Sequence, residues 1–217
     1  NINNPKNIFK NYFVTEKADG DRYILFIDDT QNGYLISNKQ EVVSTGLKFP
    51  DLENEWILDG EYIRRDKNNQ NINLYMIFDV YLSDGEPVYR LPFKSGRQKE
   101  IYKFMEKLSD SKKIDESSNI RIELKEYREG SRHSKKDIYK ILNESNKIWK
   151  NRDTFEYEID GLIYLPSMLP VGASLDGTVP DGIGNTWELN YKWKPSYLNT
   201  IDFAVFIDKE TSGKQRD

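Results

Sequence analysis

The residues best suited to chemistry lie close together near the amino terminus, in the stretch Thr15–Arg22. Lys17 follows a short run of aromatic and β-branched residues, and the next turn is formed by Asp19-Gly20, a dipeptide typical of tight turns. A lysine amine is a nucleophile when it loses its proton, so Lys17 is a candidate for covalent catalysis. The simpler interpretation is a hairpin turn that carries surface charges, because Asp-Gly is also a common hairpin signal.

Three further segments place charges inside strand-like runs. Asp59-Gly60-Glu61 and Asp160-Gly161-Leu162-Ile163 lie among apolar residues, and Lys192-Trp193-Lys194 ends another run. Alternate residues of a strand share a face, so Lys192 and Lys194 would present their ammonium groups together. Strands of this kind are poor core strands but suitable walls for a polar pocket, which predicts a site built from several of them.

The composition excludes several other kinds of site. The 217 residues contain no Cys and one His, so disulfides, thiolate metal sites, His-dependent triads and two-histidine iron sites are excluded. We expect that histidine, His133, to lie on the surface where a helix begins. The net charge of −4 does not fit a general nucleic-acid coat. No segment approaches the roughly 20 apolar residues of a membrane span, so we expect no membrane partner.

The elements that must hold the charged segments are mostly short strands. Runs of β-branched and aromatic residues predict strands at 12–14, 23–27, 33–37, 41–45, 56–63, 73–81, 120–127, 157–165, 187–194 and 201–207. The first six are too closely spaced for intervening helices, which favours antiparallel pairing. Helical spacing of apolar residues predicts helices over Ser95–Leu108 and Lys135–Lys150, the second capped by Ser134. We predict one α+β domain over 1–208 and a polar tail over 209–217.

Taken in order, the charged segments resemble the motifs of the covalent nucleotidyltransferases, the superfamily of mRNA capping guanylyltransferases and ATP-dependent DNA and RNA ligases. The matching segments are Lys17–Arg22 (KxDGxR), Asp59–Glu61, Ile77–Asp79, Asp160–Ile163 and Lys192–Lys194. The resemblance covers residues 12–207. The DGLI form of the fourth motif and the KWKP form of the fifth are typical of the capping branch. Residues 165–172 and 187–190 resemble the capping enzymes of large DNA viruses.

The resemblance implies a nucleotidyltransferase domain, unrelated to the ATP-grasp fold, with antiparallel sheets flanking a nucleotide cleft. It implies that Lys17 attacks the α-phosphate of GTP, expels pyrophosphate and passes GMP to the 5′-diphosphate end of RNA. The catalytic cations would be Arg22, Lys192 and Lys194. The residues implied in nucleotide binding are Glu16, Ala18, Lys39, Glu61, Phe78, Arg97 and Asp160.

These roles have a physical rationale. A free lysine amine, with an ordinary pKa of about 10.4, is mostly protonated at neutral pH, and nearby cations favour its neutral form. The same cations neutralise phosphate charge in the transition state. Carboxylates at Glu61 and Asp160 suit Mg²⁺ or Mn²⁺, although Glu61 could instead accept a ribose hydroxyl. Phe78 is a base-stacking candidate or a core residue, and Arg97 either handles triphosphate or is a solvated residue of the first helical turn.

The resemblance also implies partners beyond GTP and RNA, namely triphosphatase and methyltransferase modules of a parent protein or complex. The implied location is intracellular, in a viral factory of the host cytoplasm or in a virion if the protein is viral. The superfamily usually carries an OB-fold after the fifth motif, and we expect it to be absent from this chain because few residues follow Lys194. The chain begins with Asn1, so we expect a fragment of a longer protein. Two alternatives stay open: a ligase adenylation domain, and a non-catalytic module that binds nucleotide or a protein partner.

Overall fold

A computed structural model of the chain describes residues 7–115, 117–130, 139–181 and 187–199. Its strands are β1 Tyr12–Ala18, β2 Asp21–Ile27, β3 Asn32–Ser37, β4 Val42–Lys48, β5 Trp56–Arg65, β6 Asn71–Ser83, β7 Glu86–Pro87, β8 Lys112–Lys113, β9 Arg121–Leu124, β10 Arg128–Glu129, β11 Ile159–Pro166 and β12 Tyr191–Trp193. The α-helices are α1 Gln98–Leu108 and α2 Lys140–Lys150. A π-helical turn over Phe93–Arg97 leads into α1, and 3₁₀ turns occupy Arg152–Thr154 and Ser196–Leu198.

The strands form two sheets. The smaller sheet has the order β10-β1-β11-β12, and the larger has the order β7-β6-β5-β2-β3-β4-β8, with β9 added alongside β6. The β6–β9 pair is parallel, and every other described pair is antiparallel, as the close strand spacing predicted. The α+β class predicted from the sequence is confirmed: mainly antiparallel sheets are accompanied by few helices.

The Asp19-Gly20 turn joins the two sheets instead of closing a hairpin. β1 pairs with β10 and β11, whereas β2 pairs with β3 and β5, so the hairpin interpretation is wrong. The Asp19 N–H donates a hydrogen bond to the Glu158 carbonyl at 3.0 Å. A Cβ atom on Gly20 would lie 2.9 Å from Glu61 Cγ, so glycine lets this corner rest directly against β5.

The main core joins the two sheets. It contains residues of the larger sheet and of α1, such as Leu25 and Phe104, and also Phe13 and Leu165 from the smaller sheet. A second cluster lies between α2 and the outer face of the smaller sheet and includes Ile148. Because apolar side chains from both sheets are buried together, the sheets hold the corner between them in a fixed position.

Tyr75 secures the centre of the larger sheet. A Cβ atom on Gly60 would lie 2.4 Å from Tyr75 Cζ, so the phenol ring occupies the space left by a missing side chain. The Tyr75 hydroxyl accepts a hydrogen bond from the Leu25 N–H at 3.0 Å and lies 3.1 Å from the Leu58 carbonyl oxygen. This fully buried tyrosine therefore ties β2 to β5.

Several element boundaries differ from the prediction, and two of these differences concern the elements around the site. The helix predicted over Ser95–Leu108 begins with the π-helical turn and becomes α-helical at Gln98. The strand predicted over 187–194 shortens to β12, because Asn190 N–H bonds to the Trp187 carbonyl at 3.0 Å in a turn. The predictions for His133, Ser134, 135–138 and 201–217 lie outside the described residues. Within the part of the chain that the structure describes, no helix has the length and apolar character to cross a membrane.

Candidate active site

Lys17, Asp160 and Lys194 form one cluster at the end of the smaller sheet. Lys17 Nζ donates to Asp160 Oδ1 at 2.7 Å and to Oδ2 at 2.9 Å, and Lys194 Nζ lies 2.6 Å from the same Oδ2. The side chains of Lys17 and Asp160 are 19% and 16% exposed, so the amine is held firmly but is still reached by solvent. The structure thus brings together residues from three of the charged segments that the sequence analysis singled out.

Backbone irregularity positions this cluster. Lys17 pairs with Gly161 and Ala18 pairs with Ile159, so Asp160 is the extra residue of a β-bulge in β11. A bulge redirects the side chain of its extra residue, and here it turns the carboxylate toward Lys17. A Cβ atom on Gly161 would lie 2.0 Å from the Trp193 carbonyl oxygen. Glycine therefore lets β12 approach closely enough to bring its lysines to the bulge.

The electrostatics of the cluster favour an anion. Burial acts to raise the pKa of Asp160, but the hydrogen bonds and charges of Lys17 and Lys194 outweigh it, so this pKa lies below its ordinary value. The carboxylate is ionised at neutral pH and offsets one of the two ammonium charges. Lys192 is exposed in β12, two residues before Lys194. The surplus of positive charge suits a phosphate group.

A second charged group lies across the corner on β2 and β5. Arg22 makes a bidentate ion pair with Asp59, with Nε–Oδ1 at 2.8 Å and Nη2–Oδ2 at 2.6 Å. The Tyr81 hydroxyl also donates a hydrogen bond to Asp59. Asp59 is buried, whereas the Arg22 side chain is 49% exposed. The buried carboxylate and phenol thus anchor a guanidinium whose outer edge stays open to a ligand.

Glu61 lies directly opposite Arg22 in the β2–β5 pair, on the same sheet face as Asp59. Its side chain is half-buried. Burial raises the pKa of Glu61, and the charges of Lys125 and Lys17 counteract this only in part. A carboxylate that is disfavoured by burial gains from a hydroxyl donor or a cation brought by a substrate.

Phe78 is the extra residue of a second bulge, since Asp59 pairs with Asp79 and Gly60 pairs with Ile77. The Phe78 ring is half-buried, and Lys125 Nζ lies 5.8 Å from the ring centroid in a cation–π contact. Of the two alternatives for Phe78, a fully buried core residue does not fit, because one part of the ring stays accessible.

Lys125 is a site residue that the sequence analysis missed. It is 2% exposed, and its Nζ atom lies 3.8 Å from Glu16 Oε1. The available signal was a lysine inside the strand predicted at 120–127. The same signal marks Arg121 and Glu123, which pair with each other at 2.6 Å on the surface, so it does not discriminate.

The residues that flank Lys17 in β1 point into buried surroundings. The Glu16 carboxylate accepts hydrogen bonds from the Thr15 hydroxyl at 2.7 Å and the Tyr157 hydroxyl at 3.1 Å. Burial and the Glu16 charge both raise the pKa of Tyr157, so this phenol remains a hydrogen-bond donor. Ala18 is buried in an apolar cluster. Glu16 and Ala18 are therefore both buried on either side of the lysine.

Comparison with known proteins decides the family. The sequence profile of the family described as "mRNA capping enzyme, catalytic domain" matches residues 5–179. The chain belongs to this family.

Relatives in the mRNA capping family include viral and vertebrate proteins. The chain is 26% identical to the probable mRNA-capping enzyme of Acanthamoeba polyphaga mimivirus, over 93% of this chain and 20% of the relative. It is 30% identical to the mRNA-capping enzyme of African swine fever virus (strain Badajoz 1971 Vero-adapted), over 89% of this chain and 18% of the relative. It is 30% identical to the mRNA-capping enzyme of Danio rerio, over 91% of this chain and 31% of the relative. The chain thus spans a fifth to a third of the length of these relatives, and the predicted resemblance to viral capping enzymes is confirmed.

Among solved structures, the mycobacterial DNA ligase D complexed with ATP and MES aligns with 72% of this chain and 48% of its own. The TM-score is 0.42 and the identity 16%. A similarity of this size says nothing about activity.

The structure does not bring two of the predicted nucleotide-binding residues into the cluster. Arg97 has no exposed surface: it pairs with Asp79 at 2.7 and 3.1 Å and donates to the Leu91 and Leu169 carbonyls. The expectation of a solvated first-turn arginine is wrong, because this guanidinium is saturated by buried acceptors and ties the loop after β11 to the π-helical turn. Lys39 is exposed in the β3–β4 turn.

A divalent metal ion would have few protein ligands in this domain. Among the described residues, no group of three or more His, Asp or Glu side chains could hold a metal ion. Mg²⁺, however, is commonly bound by one or two carboxylates together with substrate phosphates. The candidates Glu61 and Asp160 fit an ion that arrives with a nucleotide better than a preformed protein cage.

Proposed function

We propose that this domain of the capping family is an mRNA guanylyltransferase. The main support for this proposal is the position of the Lys17 amine, which Asp160 holds beside Lys194 at the corner between the two sheets. Lys17 attacks the α-phosphate of GTP, so a P–N bond forms while the bond to pyrophosphate breaks. The GMP then passes to the terminal phosphate of a 5′-diphosphate RNA, which regenerates the free amine.

Asp160 and the cations have separate roles in this step. Asp160 Oδ1 lies 2.7 Å from Lys17 Nζ, so the carboxylate orients the amine and is within reach of its proton. Lys194, Lys192 and the open edge of Arg22 surround the phosphates and neutralise the charge that develops on them. Asp59 and Tyr81 act through Arg22, which they hold in place.

The nucleoside end is proposed to lie against Phe78 and Glu61. The accessible part of the Phe78 ring offers a stacking surface for the base. Glu61 accepts a hydrogen bond from a ribose hydroxyl or lies near the metal ion. Glu16 and Ala18 shape the floor of the pocket. Glu61 and Asp160 would hold Mg²⁺ or Mn²⁺ together with the bound nucleotide, and the ion would supply withdrawal of charge from the phosphates. A phosphate contact from Lys39 stays a prediction.

We further propose that triphosphatase and methyltransferase modules accompany this domain in the parent protein or complex. This is supported by the length of the viral relatives, of which the chain covers about a fifth.

Covalent labelling tests the proposed function. The protein is incubated with α-labelled GTP or ATP and with Mg²⁺ or Mn²⁺, then analysed on a denaturing gel beside Lys17→Ala. Lys99→Ala, an exposed lysine of α1, is the matched control. We expect label from GTP in the wild type and in the control, and none in Lys17→Ala. Label from ATP alone would identify a ligase adenylation domain, and no label from either nucleotide would favour a non-catalytic module.

A further inference from the structure

Helix α2 presents a polar groove on the side opposite the smaller sheet. Ile141 and Ile148 are buried in the cluster with that sheet, so the other side of the helix faces outward. The groove has a volume of about 490 Å³ and is lined mainly by Tyr139, Lys140, Asn143, Lys147 and Lys150. We call this surface the α2 groove.

The α2 groove is positively charged. Lys140 and Lys150 are exposed, and no ion pair within the described residues involves either of them. The acid in the groove, Glu144, is neutralised by Lys147 at 2.7 Å and by Arg128 at 3.6 Å. Helix α2 itself, Lys140–Lys150, holds three Lys against one Glu, although the whole chain has a net charge of −4. The α2 groove therefore carries more positive than negative charge.

One aromatic pair connects the end of helix α2 with the strand that carries the lysine cluster. Trp149, next to Lys150 at the end of the helix, packs edge-to-face on Trp193, with ring centroids 5.1 Å apart. Trp193 is 40% exposed and lies between Lys192 and Lys194 in the chain. β12 is the edge strand of the smaller sheet, so a ligand can pass round it from the lysine cluster to the helix without crossing the core.

We propose that the α2 groove and Trp193 bind the single-stranded RNA that follows the 5′ end to be capped. Single-stranded nucleic acids are held by positively charged grooves that track the backbone and by aromatic rings on which bases stack. The groove lysines supply the first feature, and Trp193 and the exposed Tyr139 supply the second. An acidic protein partner would complement the positive charge of the groove but would make no use of the aromatic rings. RNA is favoured because the surface starts beside the nucleophile that its end must reach, and this step rests on the proposed function.

Direct binding measurements test the proposal without catalysis. The probes are a 20-nucleotide 5′-diphosphate RNA and a 3-nucleotide one, each labelled at the 3′ end and followed by fluorescence anisotropy at several salt concentrations. The test variant is Lys140→Gln/Lys147→Gln/Lys150→Gln. The matched control removes three exposed lysines elsewhere, Lys99→Gln/Lys112→Gln/Lys113→Gln.

We expect the test variant to bind the 20-nucleotide RNA ~10- to 50-fold more weakly than the wild type at low salt. The salt slope, that of the logarithm of the binding constant against the logarithm of the salt concentration, should be less negative by about 2, because three phosphate contacts at ~0.7 each are lost. The control should stay within about twofold, and Trp193→Ala should weaken binding about tenfold with an unchanged salt slope. The test variant and the wild type should bind the 3-nucleotide RNA with the same affinity. Labelling of Lys17 by GTP should be equal in the test variant and the wild type.

Three results would overturn the proposal: no binding of the long RNA by the wild type, wild-type affinity in the test variant, or an equal loss in the control. Failure of the proposed function gives a different pattern. In that case Lys17 takes no label from GTP, while the loss of RNA binding in the test variant persists.

Discussion

Lys17 and Asp160 face each other because Asp160 is the extra residue of a bulge that interrupts the β1–β11 pairing one residue beyond the lysine. In regular pairing the side chains of adjacent β11 residues would alternate between the sheet faces. The bulge frees the Asp160 carboxylate to bind Lys17 and Lys194 together. The geometry of the proposed nucleophile is thus set by one local irregularity of the backbone.

Asp160→Asn should impair both stability and labelling. The amide keeps the shape of the carboxylate but loses the charged acceptor that orients the Lys17 amine and can take its proton, so lysyl-GMP formation should fall at least tenfold. The free energy of unfolding at pH 7 should fall by no more than about 1 kcal/mol, because the pair is partly exposed. Urea unfolding and GTP labelling of the two proteins measure these effects.

The pH dependence of this variant has a definite sign. Because the pKa of Asp160 is lowered in the folded protein, its ion pairs stabilise the fold above the unfolded-state value of about 3.9. That contribution is lost as the pH falls through the lower folded-state pKa. The stability difference between wild type and Asp160→Asn should therefore shrink at acid pH, and a difference that stays constant would contradict the assignment.

Glu61→Gln should separate stability from activity. Burial raises the pKa of Glu61, so the ionised form costs stability above the folded-state pKa, and this cost disappears below the unfolded-state value of about 4.3. At pH 7 the variant should be more stable, by up to about 1 kcal/mol, while its labelling by GTP falls. A less stable variant at pH 7 would show that the carboxylate is satisfied within the fold. The matched control is Glu126→Gln, an exposed acid after β9, which should change neither quantity.

The parts of the site that could be predicted from the sequence are those in which charged residues form a local pattern along a strand. Lysines and carboxylates inside apolar strands at Lys17, Asp160 and Lys194 indicated a polar pocket, and the structure brings these three together. Alternation within a strand needs no tertiary information. The two-residue strands β7, β8 and β10 were missed because two residues have no periodicity.

What the sequence left open depends on contacts between distant segments. Asp19-Gly20 has the composition of a hairpin turn, and only the pairing of β1 with β11 and of β2 with β5 shows that the chain changes sheets there. Arg97 has the pattern of an exposed first-turn residue, but Asp79, in a separate strand, draws it into the interior. Lys125 cannot be distinguished from surface charges until its neighbours are known.

Arg97→Met tests whether that arginine is structural. Its removal leaves the buried Asp79 carboxylate without its partner, so the free energy of unfolding should fall by about 3–5 kcal/mol. The double variant Arg97→Met/Asp79→Leu should recover part of this loss, because no buried charge is left unpaired. Urea unfolding of the single and double variants measures the coupling. If Arg97→Met has wild-type stability but is labelled more weakly by GTP, Arg97 contacts the triphosphate and is not structural.

Gly161→Ala should disturb the lysine cluster through the backbone. The new Cβ atom would lie 2.0 Å from the Trp193 carbonyl oxygen and 3.2 Å from Lys194 Cγ, so β12 must move away from β11. We expect a loss of about 1–3 kcal/mol in the free energy of unfolding and a marked fall in GTP labelling, because Lys194 no longer reaches Asp160. Since the clash is with main-chain oxygen, adding Trp193→Ala should not restore either quantity. Recovery in that double variant would show instead that the tryptophan side chain, and not the close strand approach, sets the position of Lys194.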